Sequence, residues 1–115
     1  MVTTIYMIRH GIAQHNVVRG EEGRNIFDSS LTPSGVSLMQ QTGVMLRQQL
    51  LLSMSTNSDH ASAHLIILSS PLSRCLETSG IICSQLTKAA SSTSIPPSRI
   101  SCYSHELLRE AYGVY

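Results

Sequence analysis

Chemically reactive side chains follow two apolar runs of this chain. The first run ends in Arg9, His10 and Gly11, and the apolar residues 65–68 are followed within six residues by Arg74. A neutral imidazole nitrogen can attack phosphorus in line, and guanidinium groups bind phosphate oxygens through paired hydrogen bonds. These residue types predict a phosphoryl-transfer site with His10 as its nucleophile. The alternative is a histidine at a strand end that bonds only to a backbone carbonyl.

The elements that would position these residues are two strands and the helix between them. Consecutive apolar side chains over residues 3–9 and 65–68 are typical of strands buried on both faces of a parallel sheet. Between them, Thr32 and Pro33 predict a helix start, as N-cap and first helical residue. The residues that follow at three- and four-residue steps trace one face of this helix, namely Val36, Met39, Gly43, Leu46 and Leu50. The order strand, helix, strand predicts a βαβ unit with a right-handed crossover.

A second helix and a third strand are predicted after the second apolar run. "SPLSRCLETSGIICSQL" places Ser70 and Pro71 at the helix start, and the predicted face is Leu72, Cys75, Ser79, Ile82 and Leu86. Residues 87–98 are predicted to form a solvent loop, and "RISCYSH" a short strand. Ligands of open α/β sheets bind beyond the carboxyl ends of the strands. We therefore expect His10 and Arg74 to meet there, beside helix N–H groups that favour an anion.

Composition sets the class of protein. The 115 residues are 42% hydrophobic and 13% charged, which predicts one globular domain over residues 1–115. A net charge of +1 and a single lysine argue against a nucleic-acid partner. We expect no secretory signal and no membrane span. Three cysteines without a C-x-x-C pair predict reduced thiols, and together these features predict a cytoplasmic protein.

Five stretches resemble the histidine phosphatase superfamily, which includes the cofactor-dependent phosphoglycerate mutases. "IYMIRHG" is similar to the R-H-G signature of that family, and Asn16 lies where the family carries an asparagine after it. "DSSLTPSG" resembles the D-x-x-L-T-x-x-G turn, and "SSPLSRCLETS" resembles the S-P-L-x-R-x-x-x-T motif. "LREAYG" resembles the L-x-E-x-x-G stretch. The five motifs occur in the family's order and extend from one end of the chain to the other.

The resemblance implies a fold and a set of roles. The fold would be a three-layer sandwich, with a mostly parallel sheet flanked by helices. The activity would be hydrolysis of a phosphomonoester, or transfer of its phosphoryl group, through a phosphohistidine at His10. Arg9 and Arg74 would bind the phosphate, Asn16 would support it, and Glu110 would be the general acid and base. The substrate would be a phosphorylated small molecule or another phosphoester, and no cofactor or metal is implied.

Several alternatives remain at this point. Glu106 is a rival to Glu110, although it lies outside the L-x-E match, and Arg24 is a candidate for the substrate rim. His60 and His64 have the four-residue spacing of zinc ligands on a helix, but "SDHASAH" has no apolar face and favours a solvated loop.

The family also has a second catalytic histidine, on a later strand ending in H-G, and no residue here matches it. The resemblance therefore implies the N-terminal part of a family member. The other functions to consider are a catalytically impaired or non-catalytic truncated member and a phosphoglycerate mutase-type isomerase.

Overall fold

Helices and strands alternate along the chain and form a small α/β fold. The computed structural model describes residues 3–18, 28–56, 64–88 and 95–109. Its main elements are α1 (Gln14–Val17), α2 (Pro33–Thr56), β1 (Leu65–Ser69), α3 (Ser73–Thr87) and β2 (Ile100–Ser104). Two short 3-10 turns, Pro97–Arg99 and Glu106–Leu108, flank β2. The predicted α/β class is confirmed.

The sheet consists of two parallel strands. β1 and β2 pair from Leu65 opposite Ile100 to Ser69 opposite Ser104. Beyond the last pair, the backbone N–H of His105 donates to the carbonyl oxygen of Ser69 at 3.0 Å. Both strands were predicted from their sequences, and both predictions are confirmed.

The predicted first strand is wrong. Residues 3–9 form no strand, and their side chains are exposed, with Ile5 81% and Met7 94% accessible. Among the described residues, the only β-bridge outside the sheet is an isolated antiparallel one between Ala13 and Leu31. A strand forms only where another backbone segment pairs with it. An apolar run shows that a segment could be buried, but it does not show which segment would pair with it.

Helix α2 begins where its sequence predicts. The Thr32 hydroxyl oxygen accepts the backbone N–H of Gly35 at 3.0 Å, which is the N-cap bond, and Pro33 is the first helical residue. The predicted apolar face is also confirmed. Met39, Gly43 and Leu50 are buried, while Val36 and Leu46 are half-buried.

Helix α3 begins at Ser73, two residues later than predicted. Instead of capping the helix, the Ser70 hydroxyl accepts the N–H of Leu72 at 3.3 Å, so the chain turns once more before the helix starts. The fully buried face is Arg74, Thr78, Ile82 and Leu86, at four-residue steps. Its first half is therefore polar, and it includes the arginine predicted to bind phosphate.

Two apolar clusters hold the described elements together. One contains Leu50, Ile82, Leu86 and Ile95, with partly buried neighbours from both strands. Ile95 is only 1% exposed and its N–H donates to Leu86, so the predicted solvent loop returns to the core at this residue.

The other cluster contains Ala13, Leu31 and Met39, and it packs the loop after His10 against α2. Within the described ranges, no helix combines the length and the apolar character that crossing a membrane requires.

Candidate functional site

His10 and Arg74 meet, as the sequence predicts. The Nε of Arg74 donates to Nε2 of His10 at 3.3 Å, and Nδ1 of His10 lies 2.7 Å from the carbonyl oxygen of Gly11. A guanidinium can only donate and a carbonyl can only accept, so this network assigns the proton to Nδ1. The Nε2 lone pair then faces the arginine. The backbone bond expected of a structural histidine is thus present, and it leaves the other ring nitrogen with its lone pair.

Burial distinguishes the two predicted phosphate-binding arginines. Arg74 lies in the first turn of α3 and is only 8% exposed. Arg9 directly precedes the histidine and is exposed, and its guanidinium forms no hydrogen bond or ion pair with any residue in the described part of the chain. One arginine is therefore held by the fold, whereas the other projects from the segment before His10.

Asn16 braces the loop that follows His10. Its Oδ1 accepts the backbone N–H of Ala13 at 2.9 Å, and its Nδ2 lies 3.3 Å from Nε2 of His15. Both ends of the amide thus contact protein groups of the same short turn. The predicted contact between Asn16 and a phosphate stays a prediction.

His15 is the residue that sequence reasoning missed. Its ring centroid lies 5.8 Å from that of His10, and its Nδ1 lies 2.6 Å from the hydroxyl of Ser29, which is itself buried. The two histidines are only five residues apart, and the turn into α1 places their rings side by side.

The N-terminus of α3 already receives an anionic group from the chain. The Asp28 carboxylate accepts the backbone N–H of Ser73 at 2.7 Å and its hydroxyl at 2.6 Å. The bond from the Ser73 hydroxyl lowers the pKa of Asp28 most, and the bond from the Ser73 N–H lowers it further. Burial opposes this shift, and the charge of Arg74 makes a smaller contribution that also lowers the pKa. The N–H group of Ser73, one of those expected to bind a ligand, therefore already binds Asp28 of the "DSSLTPSG" motif.

Replacing Asp28 tests this capping interaction. We expect Asp28→Ala to lower the free energy of unfolding by about 1–2 kcal/mol, because it removes a helix cap. Asp28 also has a positive φ of 50°, which Asn tolerates better than Ala. Asp28→Asn is therefore the matched variant that keeps the backbone conformation, while it removes the charge and one of the two acceptor oxygens that bind Ser73.

The pH dependence of stability should separate the same variants. Because the pKa of Asp28 is lowered by folding, its contribution is present above the unfolded value of about 3.9 and is lost as the pH falls through the folded value. Melting temperatures of wild type and Asp28→Asn should therefore differ most near neutral pH and converge below about pH 4. A constant difference across that range would contradict the capping role.

Two side chains of α3 fix the loops around His10. The Thr78 hydroxyl accepts the backbone N–H of Gly11 at 3.1 Å and donates to the carbonyl oxygen of Arg74 at 2.7 Å. The Glu77 carboxylate accepts the N–H of Leu31 at 3.0 Å. Both side chains therefore hold backbone segments that flank His10 against α3.

Gly11 and Gly35 allow the loop after His10 to approach α2. A Cβ at Gly11 would lie 2.8 Å from the side chain of Met39, and one at Gly35 would lie 2.2 Å from the carbonyl oxygen of Ile12. Close packing against α2 is therefore a structural reason for glycine at position 11.

The other sequence-predicted residues are distributed as follows. Glu110, Arg24 and His60 lie outside the described residues. Glu106 is exposed and forms an ion pair with Arg109 at 2.8 Å. His64 lies 2.7 Å from the hydroxyl of Ser101 through its Nε2.

An open groove of about 400 Å³ lies between α2 and α3, lined by residues that include Val36, Gln40, Glu77 and Ile81. None of the residues predicted to bind phosphate lines this groove. The predicted chemistry and this cavity therefore occupy separate places.

No family model matches this chain, and comparisons with curated proteins and with solved structures give no match either. The features that bear on function are therefore the five sequence motifs and the contacts of His10 and Arg74.

Proposed function

We propose that this protein is a phosphoryl-transfer enzyme of the histidine phosphatase type. It hydrolyses a phosphomonoester through a phosphohistidine at His10. One observation carries the proposal: Nε2 of His10 faces the buried Arg74 guanidinium at 3.3 Å while Nδ1 is tied to the Gly11 carbonyl. The nitrogen proposed as the nucleophile therefore lies next to the cation proposed to bind the phosphate.

The proposed reaction has two steps. First, the Nε2 lone pair attacks phosphorus, the P–N bond forms, and the bond to the leaving oxygen breaks as a general acid protonates it. The Nδ1–H bond to the Gly11 carbonyl stabilises the positive charge that develops on the imidazole. Then water attacks the phosphohistidine, the P–N bond breaks, and inorganic phosphate leaves a neutral His10.

The supporting roles follow the resemblance. Arg9 and Arg74 would hold the non-bridging oxygens, where charge shifts in the transition state. Glu110 would be the acid of the first step and the base of the second.

The three-layer sandwich is part of the same proposal. Helices α2 and α3 and both strands contribute to a common apolar cluster, which accounts for one helical layer. Apolar residues on the other side of the strands are exposed, including Ile66, Leu68 and Tyr103. A second helical layer would cover these side chains, and further strands would pair with residues 3–9.

A second candidate is a chain that binds phosphate without catalysis. The exposure of Ile5 and Met7 favours it, because the segment before His10 has no strand partner in the described part of the chain. Catalysis needs a nucleophile held in a near-attack position, whereas anion binding tolerates a looser one.

The experiment that tests the proposal combines turnover, trapping and binding. We expect release of phosphate from an aryl phosphate, and a phosphorylated enzyme that survives alkaline denaturation and loses its label in acid. Fragmentation of the tryptic peptide 10–19 should place the added group on His10 rather than His15. Stabilisation of the fold by orthovanadate without turnover or trapping would support the binding-only candidate instead.

Arg74→Lys tests the phosphate-binding role. Lysine keeps the charge but loses the planar fork, so we expect kcat/KM for the aryl phosphate to fall by about 10²–10³-fold. The matched control is Arg47→Lys, because Arg47 donates from α2 to the carbonyl of Gln85 and contacts neither histidine of the site. Equal losses in both variants would show that Arg74 acts only through the fold.

A further inference from the structure

Two of the three thiols lie in contact across the fold. Sγ of Cys102, in β2, is 3.8 Å from Sγ of Cys83, in α3. Neither residue contacts His10 or Arg74 in the described structure, and both are free thiols. We propose that Cys83 and Cys102 are an oxidation site that closes to an intramolecular disulfide when a peroxide is present.

The sheet register explains why these two sulfurs meet. Cys102 pairs with Ile67 of β1, and Ile67 packs against the apolar cluster that contains Ile82. Ile82 directly precedes Cys83 in α3. The side chain of Cys102 therefore lies on the helix-facing side of the sheet, where it donates its S–H to Cys83. Closing the bond requires the sulfurs to approach from 3.8 Å to a bonded distance of about 2.05 Å.

The environments of the two thiols predict the order of reaction. Cys102 is exposed, whereas Cys83 is half-buried. Burial raises the pKa of the Cys83 thiol, which keeps it protonated more of the time. Cys102 therefore meets the oxidant first, and Cys83 is the resolving thiol.

The oxidation is balanced with hydrogen peroxide as the two-electron oxidant. The Cys102 thiolate attacks one peroxide oxygen, the S–O bond forms and the O–O bond breaks, which releases hydroxide and leaves a sulfenic acid. The Cys83 thiolate then attacks the Cys102 sulfur, the S–S bond forms and the S–O bond breaks, releasing a second hydroxide. The thiol protons neutralise both hydroxides, so two thiols and one peroxide give one disulfide and two waters.

The bond would join β2 covalently to α3. β2 pairs with only one strand among the described residues, and its end is held by the bond from His105 to Ser69. A disulfide from Cys102 would tie this strand to a helix that is already packed in the core. Oxidation therefore stabilises the fold and leaves the His10 contacts unchanged.

The test begins with the Cys75→Ser variant, because the tryptic peptide 75–88 contains both Cys75 and Cys83. After treatment with hydrogen peroxide, we expect the peptides 75–88 and 100–109 to be joined and to lose two hydrogen atoms in mass. The melting temperature should rise by about 5–15 °C, and dithiothreitol should reverse both changes.

The matched control is the double variant Cys75→Ser, Cys102→Ser under the same treatment. It keeps Cys83 and should show neither the joined peptides nor the rise in melting temperature. The reduced forms of the two proteins should melt within a few degrees of each other, which separates oxidation from misfolding. Two results would overturn the proposal: both thiols of the Cys75→Ser variant still react with an alkylating agent after peroxide, or the cross-link joins two chains.

Discussion

His10→Ala is expected to lower phosphate release from an aryl phosphate by about 10³-fold or more, since removal of a covalent nucleophile has effects of this size. The physical reason is that the proposed reaction proceeds through a P–N bond to Nε2, and alanine offers no atom to form it. The fold should persist, because His10 is only half-buried and alanine leaves the bond from the Gly11 N–H to Thr78 in place.

The controls use the other histidines of the described chain. His64→Ala should retain full activity, since His64 lies beside Ser101 on the sheet and does not contact His10. His15→Ala removes the neighbouring imidazole, whose ring centroid lies 5.8 Å from that of His10, and so distinguishes the contributions of the two rings. If His10→Ala releases phosphate as fast as wild type, the phosphohistidine mechanism at His10 is wrong. If the trapped phosphoryl group lies on His15, the nucleophile has been assigned to the wrong ring.

Gly35→Ala is expected to destabilise the protein by about 3 kcal/mol or more, which is a large fraction of the stability of a small domain. A Cβ at this position would lie 2.2 Å from the carbonyl oxygen of Ile12 and 3.0 Å from its backbone nitrogen and carbonyl carbon. Backbone atoms cannot move aside as a flexible side chain can. Either α2 or the loop after His10 must shift, and the bond from Thr32 N–H to the Ile12 carbonyl would be lost with it.

Gly80→Ala is the matched control, because it makes the same chemical change inside a helix. A Cβ at Gly80 meets nothing within 4 Å, so only helix propensity acts, and we expect a gain of about 1 kcal/mol. Urea unfolding of both variants gives the comparison. Unchanged or increased stability of Gly35→Ala would show that the loop after His10 does not pack closely on α2.

Gly35 belongs to the "DSSLTPSG" motif, and the contacts of this motif are structural. The sequence identified "DSSLTPSG" only as a turn into the first long helix. In the structure, Asp28 accepts a hydrogen bond at the start of α3, and the N–H of Leu31 donates to Glu77. The absence of a side chain at Gly35 allows the backbone of Ile12 to approach α2. The motif thus holds the His10 loop, α2 and α3 together at one point. Each partner is distant in sequence, so no local pattern could identify these contacts.

Sequence by itself determined the parts of this protein that depend on neighbouring residues. The N-cap at Thr32, the start of α2 at Pro33 and its apolar face follow from hydrogen bonds and side-chain spacing within one helix. The strands over Leu65–Ser69 and Ile100–Ser104 were also predicted correctly. The contact between His10 and Arg74 is present as predicted, but the predicted reason is wrong, because residues 3–9 form no strand of the sheet and contacts with α3 hold the loop after His10 instead.

Tertiary structure decided everything that needs a partner from another element. Residues 3–9 are apolar enough for a buried strand, yet they have no paired strand in the described chain and remain exposed. Helix α3 starts at Ser73 because a carboxylate 45 residues earlier binds there. The proximity of Cys83 to Cys102 likewise depends on how elements pack. Local propensity acts over a few residues, whereas these contacts join positions that only the folded chain brings together.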